Sequence, residues 1–402
     1  MQANLMNALL RRDPLGVCNC SCGFLEPDPD IAGTGVITAF LCNTALAWVC
    51  GVVAIASWYG TTSNKFDQLC KKLATRLWRK VADFCSKEPA TVEKTSTAPT
   101  PPLSKRHFWE PVIYPLLLSL HDTQLISGNG ILIAAIIRHK TISVYHFTIA
   151  ADLAWIASGT QLLTFISIRP WIRNRQLSSK HSRAYGPVQI LRLSVMVLQL
   201  GLLLYAAVIQ GDQYWDDSYT CPLTCFEQEQ ERQLGGIPEK WMVINIVLPI
   251  WSYGAAILRS FSLLWNLWVF WRDELKSRIS DGPVRRIVGF IWSFLDSAAL
   301  ELASETTWFA LGIHWIKEDR RWAKRYFGGV YDCPEVSNTE EDWGFGQILP
   351  MLLVLIPIIA GLQSYGDEKT QQGTDIRPDS ANKSAMTTPM NIPQRCKLVE
   401  LC

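Results

Sequence analysis

The sequence predicts an all-α fold: a polytopic transmembrane helical bundle with seven spans, or six if one weak run does not cross. Of its 402 residues, 49% are hydrophobic and only 18% are charged. Its mean hydropathy is positive, which is unusual for a soluble chain of this length. Several nearly uncharged runs reach the roughly 20 residues that a helix needs to cross a bilayer. The net charge of +2 gives no indication of a nucleic-acid partner, so the expected surroundings are lipid.

Seven apolar runs define the predicted spans and, with them, the domain organisation. Residues 1–32 are expected to be an extracytoplasmic segment with a cysteine cluster, and residues 33–366 to form the bundle. Residues 61–110 form a basic loop in which 65–85 has the pattern of an amphipathic helix on a membrane surface, followed by a Pro-, Thr- and Ser-rich linker. Residues 367–402 are predicted to form a flexible tail. The predicted spans lie near 36–58, 115–138, 142–168, 188–209, 242–268, 288–315 and 347–364.

The charges of the loops predict the orientation of the bundle, because short cytoplasmic loops are enriched in Lys and Arg. Residues 61–110 and 169–186 are basic and should be cytoplasmic, whereas the acidic loop 211–240 should face the lumen or the outside. Alternation then places the N-terminus outside and the C-terminus inside. The basic stretch KEDRRWAKR at 317–325 falls on the outer side and does not fit this rule. If 288–315 is a surface or re-entrant helix, that stretch becomes cytoplasmic.

The cysteines fit the same orientation. An even number of them lies in the outer segments, where an oxidising compartment favours disulfides whose connectivity the sequence leaves open. A metal site is the less favoured alternative, because no His accompanies these thiols. These outer cysteines are Cys18, Cys20, Cys22, Cys221, Cys225 and Cys333.

Several acids lie inside the apolar runs, and they are the candidate catalytic residues. Asp152 stands near the centre of VYHFTIAADLAWIASG, Asp122 lies in the second run, and Glu301 and Glu305 lie four residues apart in the sixth, next to Asp296. A carboxylate at mid-membrane costs about 2.5 to 3.5 kcal/mol on insertion scales, so such residues usually face a cavity or the bundle interior. The alternative for each acid is a purely structural hydrogen bond between helices.

Aromatic residues accompany these acids and are the candidate substrate-binding residues. A buried neutral carboxyl donates a proton readily, and aromatic faces stabilise cations without attacking them. Together they suit the cyclisation of an isoprenoid chain through carbocations, although the same residues would also serve a proton-coupled transporter. The candidate substrate-binding residues are Tyr145, Trp155, Trp251, Trp292 and Trp308.

Four segments resemble recurring segments of a large group of fungal seven-span membrane proteins. That group is similar to the membrane-bound terpene cyclases of meroterpenoid pathways such as those leading to ascochlorin, ascofuranone and macrophorin. The likeness covers residues 28–365, and the chain departs from the pattern at His121, where a small residue is expected before Asp122. The segments are DPDIAGTGVITAF at 28–40, SLHDTQLISGNGILIA at 119–134, ISVYHFTIAADLAW at 142–155 and EDWGFGQILPMLLVLIP at 341–357.

The resemblance implies an isomerase-type or lyase-type terpene cyclase in the endoplasmic reticulum membrane, acting on a lipophilic prenylated substrate by proton-initiated cyclisation. Asp152 is the first choice for the general acid, with Asp122, Glu301 and Glu305 as alternatives. No cofactor and no metal is expected, because the apolar runs lack the Asp-rich motifs that bind Mg²⁺. The rival hypothesis is a non-enzymatic transporter or receptor whose buried acids relay protons or bind a cation.

Overall fold

The computed structural model describes most of the predicted bundle and leaves the chain ends and several connections undescribed. Within the described residues the chain is helical and contains no β-strand, only two isolated bridges, Ser143 to Pro222 and Asp212 to Leu234. The cysteine cluster at 18–22 and the linker that follows the amphipathic segment lie outside this part. The described residues are 25–58, 66–70, 72–73, 76, 103–178, 187–215, 218–224, 234–260, 262–279, 282–295, 297–329 and 340–375.

The helices of the described chain follow one another with short connections, except where undescribed segments intervene. In chain order they are α1 (Pro29–Ala32), α2 (Thr34–Trp58), α3 (Leu103–Ile137), α4 (Val144–Ser178), α5 (Pro187–Gln210), α6 (Gly236–Ser260), α7 (Ser262–Arg278), α8 (Pro283–Leu295), α9 (Ala298–Phe327), α10 (Phe345–Leu353) and α11 (Leu355–Asp375).

Helix α4 is the centre of the bundle. Its apolar stretch is 78% buried inside the protein, against 17–39% for the other candidate spans. It packs against α2, α3, α5 and α9, and Tyr145, Phe147, Ile149 and Leu153 are fully buried on several sides of it. Because α4 has neighbours all round, both apolar and polar residues on it face other helices rather than lipid.

The chain is a membrane protein, but the expectation of seven spans is not confirmed. Among the described residues, five helical stretches are long and apolar enough to cross a membrane, or six if the pair α8 and α9, bent by 52°, counts as one span. The predicted span near 115–138 lies within α3, which is not among them. Its residues His121, Asp122, Gln124 and Asn129 lower its hydropathy, and polar residues on a helix surrounded by protein carry no penalty from lipid.

The last two predicted runs each contain a helix break that hydropathy does not reveal. The run 288–315 is divided between α8 and α9, whereas the run 242–268 covers parts of α6 and α7, between which residue 261 lies outside the described residues. Ser297 caps α9 by accepting a hydrogen bond from the Leu300 amide at 3.2 Å. The run 347–364 breaks at Val354, where Pro357 has no amide hydrogen to donate to the Leu353 carbonyl. Helix α11 then continues to Asp375, into the segment expected to be a flexible tail.

Three of the segments that carry the resemblance meet at one end of the bundle. The Gly35 amide donates to Gln347 Oε1 at 2.8 Å, which joins the DPDIAGTG segment to EDWGFGQ. A Cβ on Gly33 would stand 2.5 Å from Gln347 Cδ, so this close approach requires glycine. The fourth segment contributes Gln124, whose Nε2 donates to the Phe40 carbonyl at 3.2 Å. The recurring segments are therefore parts of one packed unit.

Helix α9 extends from one end of the bundle to the other. At its start, Ser297 Oγ donates to Asp67 Oδ1 of the basic loop at 2.6 Å. Near its end, Arg320 pairs with Glu340, which precedes α10. The 23 residues from Ala298 to Arg320 span about 33 Å at the α-helical rise, close to the thickness of the hydrocarbon core. The helix therefore connects the two groups of loops that the charge pattern places on opposite sides.

Acidic residues pair with the basic stretch that did not fit the charge rule. Besides Arg320 with Glu340, Arg321 pairs with Glu318, and Lys324 pairs with Glu341 at 2.8 Å. The hydrogen bond and the charge of Lys324 hold the pKa of the exposed Glu341 carboxyl below its usual value. The charge rule counts Lys and Arg and gives little weight to Asp and Glu, so these ion pairs do not remove the exception.

Cys221 belongs to the same end of the bundle and forms a disulfide. Its partner lies outside the described residues, because the other described cysteines, Cys42, Cys50 and Cys70, are free. The amide of Val144 at the start of α4 donates to the Cys221 carbonyl at 2.9 Å. The loop that carries this cysteine is thus fixed to the central helix.

Candidate functional site

Two adjoining clefts lie between α4, α6 and α9 inside the bundle. The larger, which we call the Glu305 cleft, has a volume of about 40 Å³ and lies among α2, α4, α6 and α9. The smaller, the Asp152 cleft, has a volume of about 20 Å³ and also borders α5. Trp155 lines both clefts. Each is partly open, and together they hold two of the acids predicted from the sequence.

The Asp152 cleft combines a carboxyl group, two amides and two indoles. Asp152 and Trp155 enter it from α4, Gln210 from α5, Asn245 from α6 and Trp315 from α9. The Asn245 Oδ1 atom is buried and has no hydrogen-bond partner in the described part of the chain. A buried acceptor without a donor costs about 1 to 3 kcal/mol, which a bound ligand or water that donates to it would offset.

Asp152 has a second carboxyl group as its neighbour. Asp319 lies one helical turn beyond Trp315 on α9 and is 8% exposed, and it is close enough to interact electrostatically with Asp152. The Tyr219 hydroxyl donates to Asp319 Oδ1 at 2.8 Å. Asp319 does not itself line the cleft, but it lies near Asp152 and is held by a phenol.

A row of tryptophans connects the two clefts. The rings of Trp155 and Trp308 are 5.7 Å apart and nearly perpendicular, and Trp308 is 6.5 Å from Trp315. Trp308 and Trp315 are seven residues apart on α9 and so lie on one face. Trp241 of α6 packs on Trp315 at 5.3 Å. These indole faces form a continuous wall suited to a hydrocarbon chain or a cation.

The Glu305 cleft is mostly apolar and aromatic around one carboxyl group. Glu305 is 9% exposed, and a Cβ on Gly159 would stand 3.1 Å from its Oε2 atom. No described residue forms a hydrogen bond or an ion pair with this carboxyl. Tyr253, in the same cleft, donates to Gln161 Oε1 at 3.3 Å. Glycine at 159 thus leaves the space that the Glu305 head occupies.

A buried ionic network closes the end of the bundle next to the Asp152 cleft. Glu340 is 3% exposed. It accepts from the Tyr145 hydroxyl at 3.1 Å, lies 3.1 Å from His146 Nε2 and pairs with Arg320. Ser143 Oγ is 2.8 Å from His146 Nδ1 and so orients the ring. Because every member of this network has a partner, we interpret the role of the network as structural.

The structure brings together only some of the predicted site residues. Asp152, Trp155, Glu305 and Trp308 line the clefts. Tyr145, which was expected beside Asp152, belongs instead to the Glu340 network.

The remaining predicted residues lie elsewhere. Asp122 binds Arg192 through both oxygens, at 2.7 and 2.5 Å, outside the clefts. Glu301 does not line either cleft. Trp251 is 59% exposed on the surface of α6, and Trp292 packs on Trp268 at 5.3 Å, away from the clefts. Asp296 lies outside the described residues.

Sequence reasoning missed four residues of this region: Asp319, Glu340, Asn245 and Trp315. One signal was present, because the basic stretch that contradicted the charge rule contains Asp319 and the Arg320 that binds Glu340. Trp315 could have been found from its seven-residue spacing to Trp308. Nothing in the sequence distinguishes Asn245 or Glu340 from ordinary polar residues at helix surfaces and in loops.

The comparisons with known proteins find similarity to a fungal protein of a biosynthesis cluster. No family model matches the chain, and no solved structure matches it. Over 139 residues the chain is 29% identical to the Elsinochromes biosynthesis cluster protein HP3 of Elsinoe fawcettii. The alignment covers 33% of this chain and 43% of that protein, so the chain matches less than half of its relative's length. The chain is therefore similar to a protein of a fungal secondary-metabolite cluster.

Proposed function

We propose that this protein is an integral membrane terpene cyclase that cyclises the prenyl or epoxyprenyl chain of a lipophilic substrate in fungal meroterpenoid biosynthesis. The observation that carries the proposal is the position of Asp152 in a cleft inside the bundle, walled by Trp155 and Trp315. Similarity to a biosynthesis-cluster protein supports a role in secondary metabolism. The endoplasmic reticulum is the proposed location, because prenylated intermediates are commonly handled there.

Asp152 is the proposed general acid. Two carboxyl groups that interact in a water-poor site do not both ionise readily, so the Asp152 and Asp319 pair retains a proton. The hydrogen bond from Tyr219 favours the ionised form of Asp319, which leaves the proton on Asp152. Asp122 is unsuited to this role, because both of its oxygens are occupied by the Arg192 guanidinium.

The proposed reaction rearranges bonds without changing the mass of the substrate. Asp152 transfers its proton to the epoxide oxygen, or to a terminal alkene carbon, and the breaking bond leaves a tertiary carbocation. An internal double bond donates its electron pair to that carbon and closes a ring. Loss of a proton from the final cation to the Asp152 and Asp319 carboxylate pair restores an alkene and returns the pair to its starting protonation state. Trp155, Trp308 and Trp315 stabilise the intermediate cations through their ring faces.

The clefts must widen to admit such a substrate. Volumes of about 40 and 20 Å³ accommodate only water-sized groups. Helices α6 and α9 approach each other at Trp241 and Trp315 but do not pack along their length. Pro249 lies inside α6 beside the Glu305 cleft, and its missing amide weakens the helix there. We propose that the substrate enters from the bilayer between these two helices.

Expression in a heterologous fungus supplied with epoxidised prenylphenols tests the proposal. The expected result is a cyclised isomer of unchanged mass that is missing from a host carrying an empty vector. Substrate that crosses the membrane but is recovered unchanged would instead support a transporter and would contradict the cyclase.

A further inference from the structure

Glu305 is a buried carboxyl group that faces a cleft and that the proposed acid step does not use. It is 9% exposed, and no described residue donates a hydrogen bond to it or pairs with it. Burying a polar group without a partner costs free energy, and such a group in a cleft is suited to a ligand that supplies the missing hydrogen bonds.

The surroundings of Glu305 favour an uncharged partner. A charge buried without a counter-ion costs several kcal/mol, and no Lys, Arg or His lines this cleft. The carboxyl group therefore favours its neutral form, which both donates and accepts a hydrogen bond. Ser158, Ser252 and Tyr253 place hydroxyl-bearing side chains on the same cleft. A phenol or a carbonyl oxygen complements such a set.

The distance between the two acids fits a substrate with two different ends. Glu305 Oε2 lies beside Gly159 of α4, and Gly159 follows Asp152 by seven residues on the same helix. At the α-helical rise this separation is about 10 Å along the axis. Trp155 lies between the two positions and lines both clefts. A chain lying along this wall would reach Asp152 with one end and Glu305 with the other.

We infer that Glu305 anchors the neutral oxygenated head of the substrate by hydrogen bonds, while the prenyl chain extends along Trp155 toward Asp152. This inference rests on the proposed function, because it assigns the substrate class of the same site: a prenyl chain attached to a phenolic or carbonyl-bearing ring. Glu305 is thereby a specificity-determining residue that holds the head, distinct from the acid that starts the reaction.

Equilibrium binding separates this role from catalysis, since it requires no turnover. The probe is a radiolabelled farnesylphenol without an epoxide. The control ligand is farnesylbenzene, which lacks the phenol oxygen. The protein is the full chain reconstituted in nanodiscs. Glu305→Leu should weaken binding of farnesylphenol about 10-fold, the loss expected for one or two hydrogen bonds, and should leave farnesylbenzene unaffected. Glu305→Gln, which keeps a donor and an acceptor, should remain within about 3-fold of wild type.

Kinetics with the epoxide of farnesylphenol then distinguish a failure of this inference from a failure of the proposed function. Glu305→Leu should raise KM about 10-fold with kcat nearly unchanged, and Asp152→Asn should lower kcat with KM unchanged. Equal farnesylphenol binding by wild type and Glu305→Leu would overturn the anchoring role of Glu305, whether or not turnover occurs. Loss of binding in both Glu305 variants together with preference for a prenylated amine would overturn it in favour of a cation site. Head-dependent binding without any turnover would retain the anchor and contradict the cyclase.

Discussion

At the scale of single residues, Gly159 controls the space available to Glu305. A Cβ at this position would stand 3.1 Å from Glu305 Oε2, tighter than ordinary contact, so the carboxyl must move. Gly159→Ala should therefore weaken farnesylphenol binding by a factor of about 3 to 10, although alanine is the better helix former. Gly201→Ala is the matched control, because a Cβ there meets no atom within 4 Å. Equal effects of the two substitutions would show that Gly159 has no special relation to the cleft.

Glu340 is the central residue of the buried ionic network described above. It neutralises Arg320 and accepts from Tyr145 while being 3% exposed. Glu340→Gln preserves the shape but leaves a largely buried guanidinium without its counter-ion, which costs about 3 to 5 kcal/mol. Thermal unfolding in detergent should show a clearly lowered midpoint. The neighbouring Glu341→Gln should change the midpoint little, because its pair with Lys324 is exposed. Equal midpoints for both variants would contradict the structural role of the Glu340 network.

Sequence patterns locate the acids of the bundle but do not specify the partners of these acids. The rule that acids inside apolar runs face a cavity identified Asp152 and Glu305, which the structure places in clefts. The same rule identified Asp122, whose partner Arg192 is 70 residues away. Residues so far apart in sequence meet only through the packing of whole helices, which no local pattern specifies.

At the scale of helices, α9 provides the sharpest test of the sixth predicted run. Its start binds Asp67 and its end binds Glu340, about 33 Å apart by helical rise. An N-glycosylation acceptor inserted after Gly329 should therefore be glycosylated in the endoplasmic reticulum. The same acceptor in the basic loop, after Lys72, is the negative control. An unmodified site after Gly329, with a functional protein, would make α9 a re-entrant helix.

Helix existence was predictable from hydropathy, but helix breaks were not. The breaks before Ser297 and at Val354 depend on local features such as the Ser297 cap and Pro357, which a window average over 18 or more residues conceals. Helix α3 illustrates the opposite problem. Its polar residues lower its hydropathy, yet much of it is buried among α4, α5 and α11. There the amide nitrogens of Gln124 and Asn129 find protein acceptors, whereas both ring nitrogens of His121 find no hydrogen-bond partner among the described residues.

At the scale of the whole molecule, loop charge predicts the orientation of the bundle. A reporter fused after Ser179 should be cytoplasmic, and one inserted after Gln228 should be lumenal, because the first loop is basic without acids and the second is strongly acidic. Helix α5 connects the two loops and is 24 residues long, enough to cross. Both reporters on the same side would remove α5 from the spans and reverse the assignment of every later loop.

The whole account depends on a proton delivered from Asp152 inside a water-poor bundle, and one measurement tests this directly. It is the rate at which purified protein in nanodiscs converts the epoxide of farnesylphenol into a cyclised isomer, per correctly inserted molecule, for wild type and Asp152→Asn. Asparagine keeps the size and polarity of the side chain but has no acidic proton, so turnover should fall at least ~10²-fold. Asp122→Asn, an acid of the bundle outside the clefts, should retain most of the activity. Turnover near that of wild type in Asp152→Asn would contradict the account and make Asp152 a structural residue.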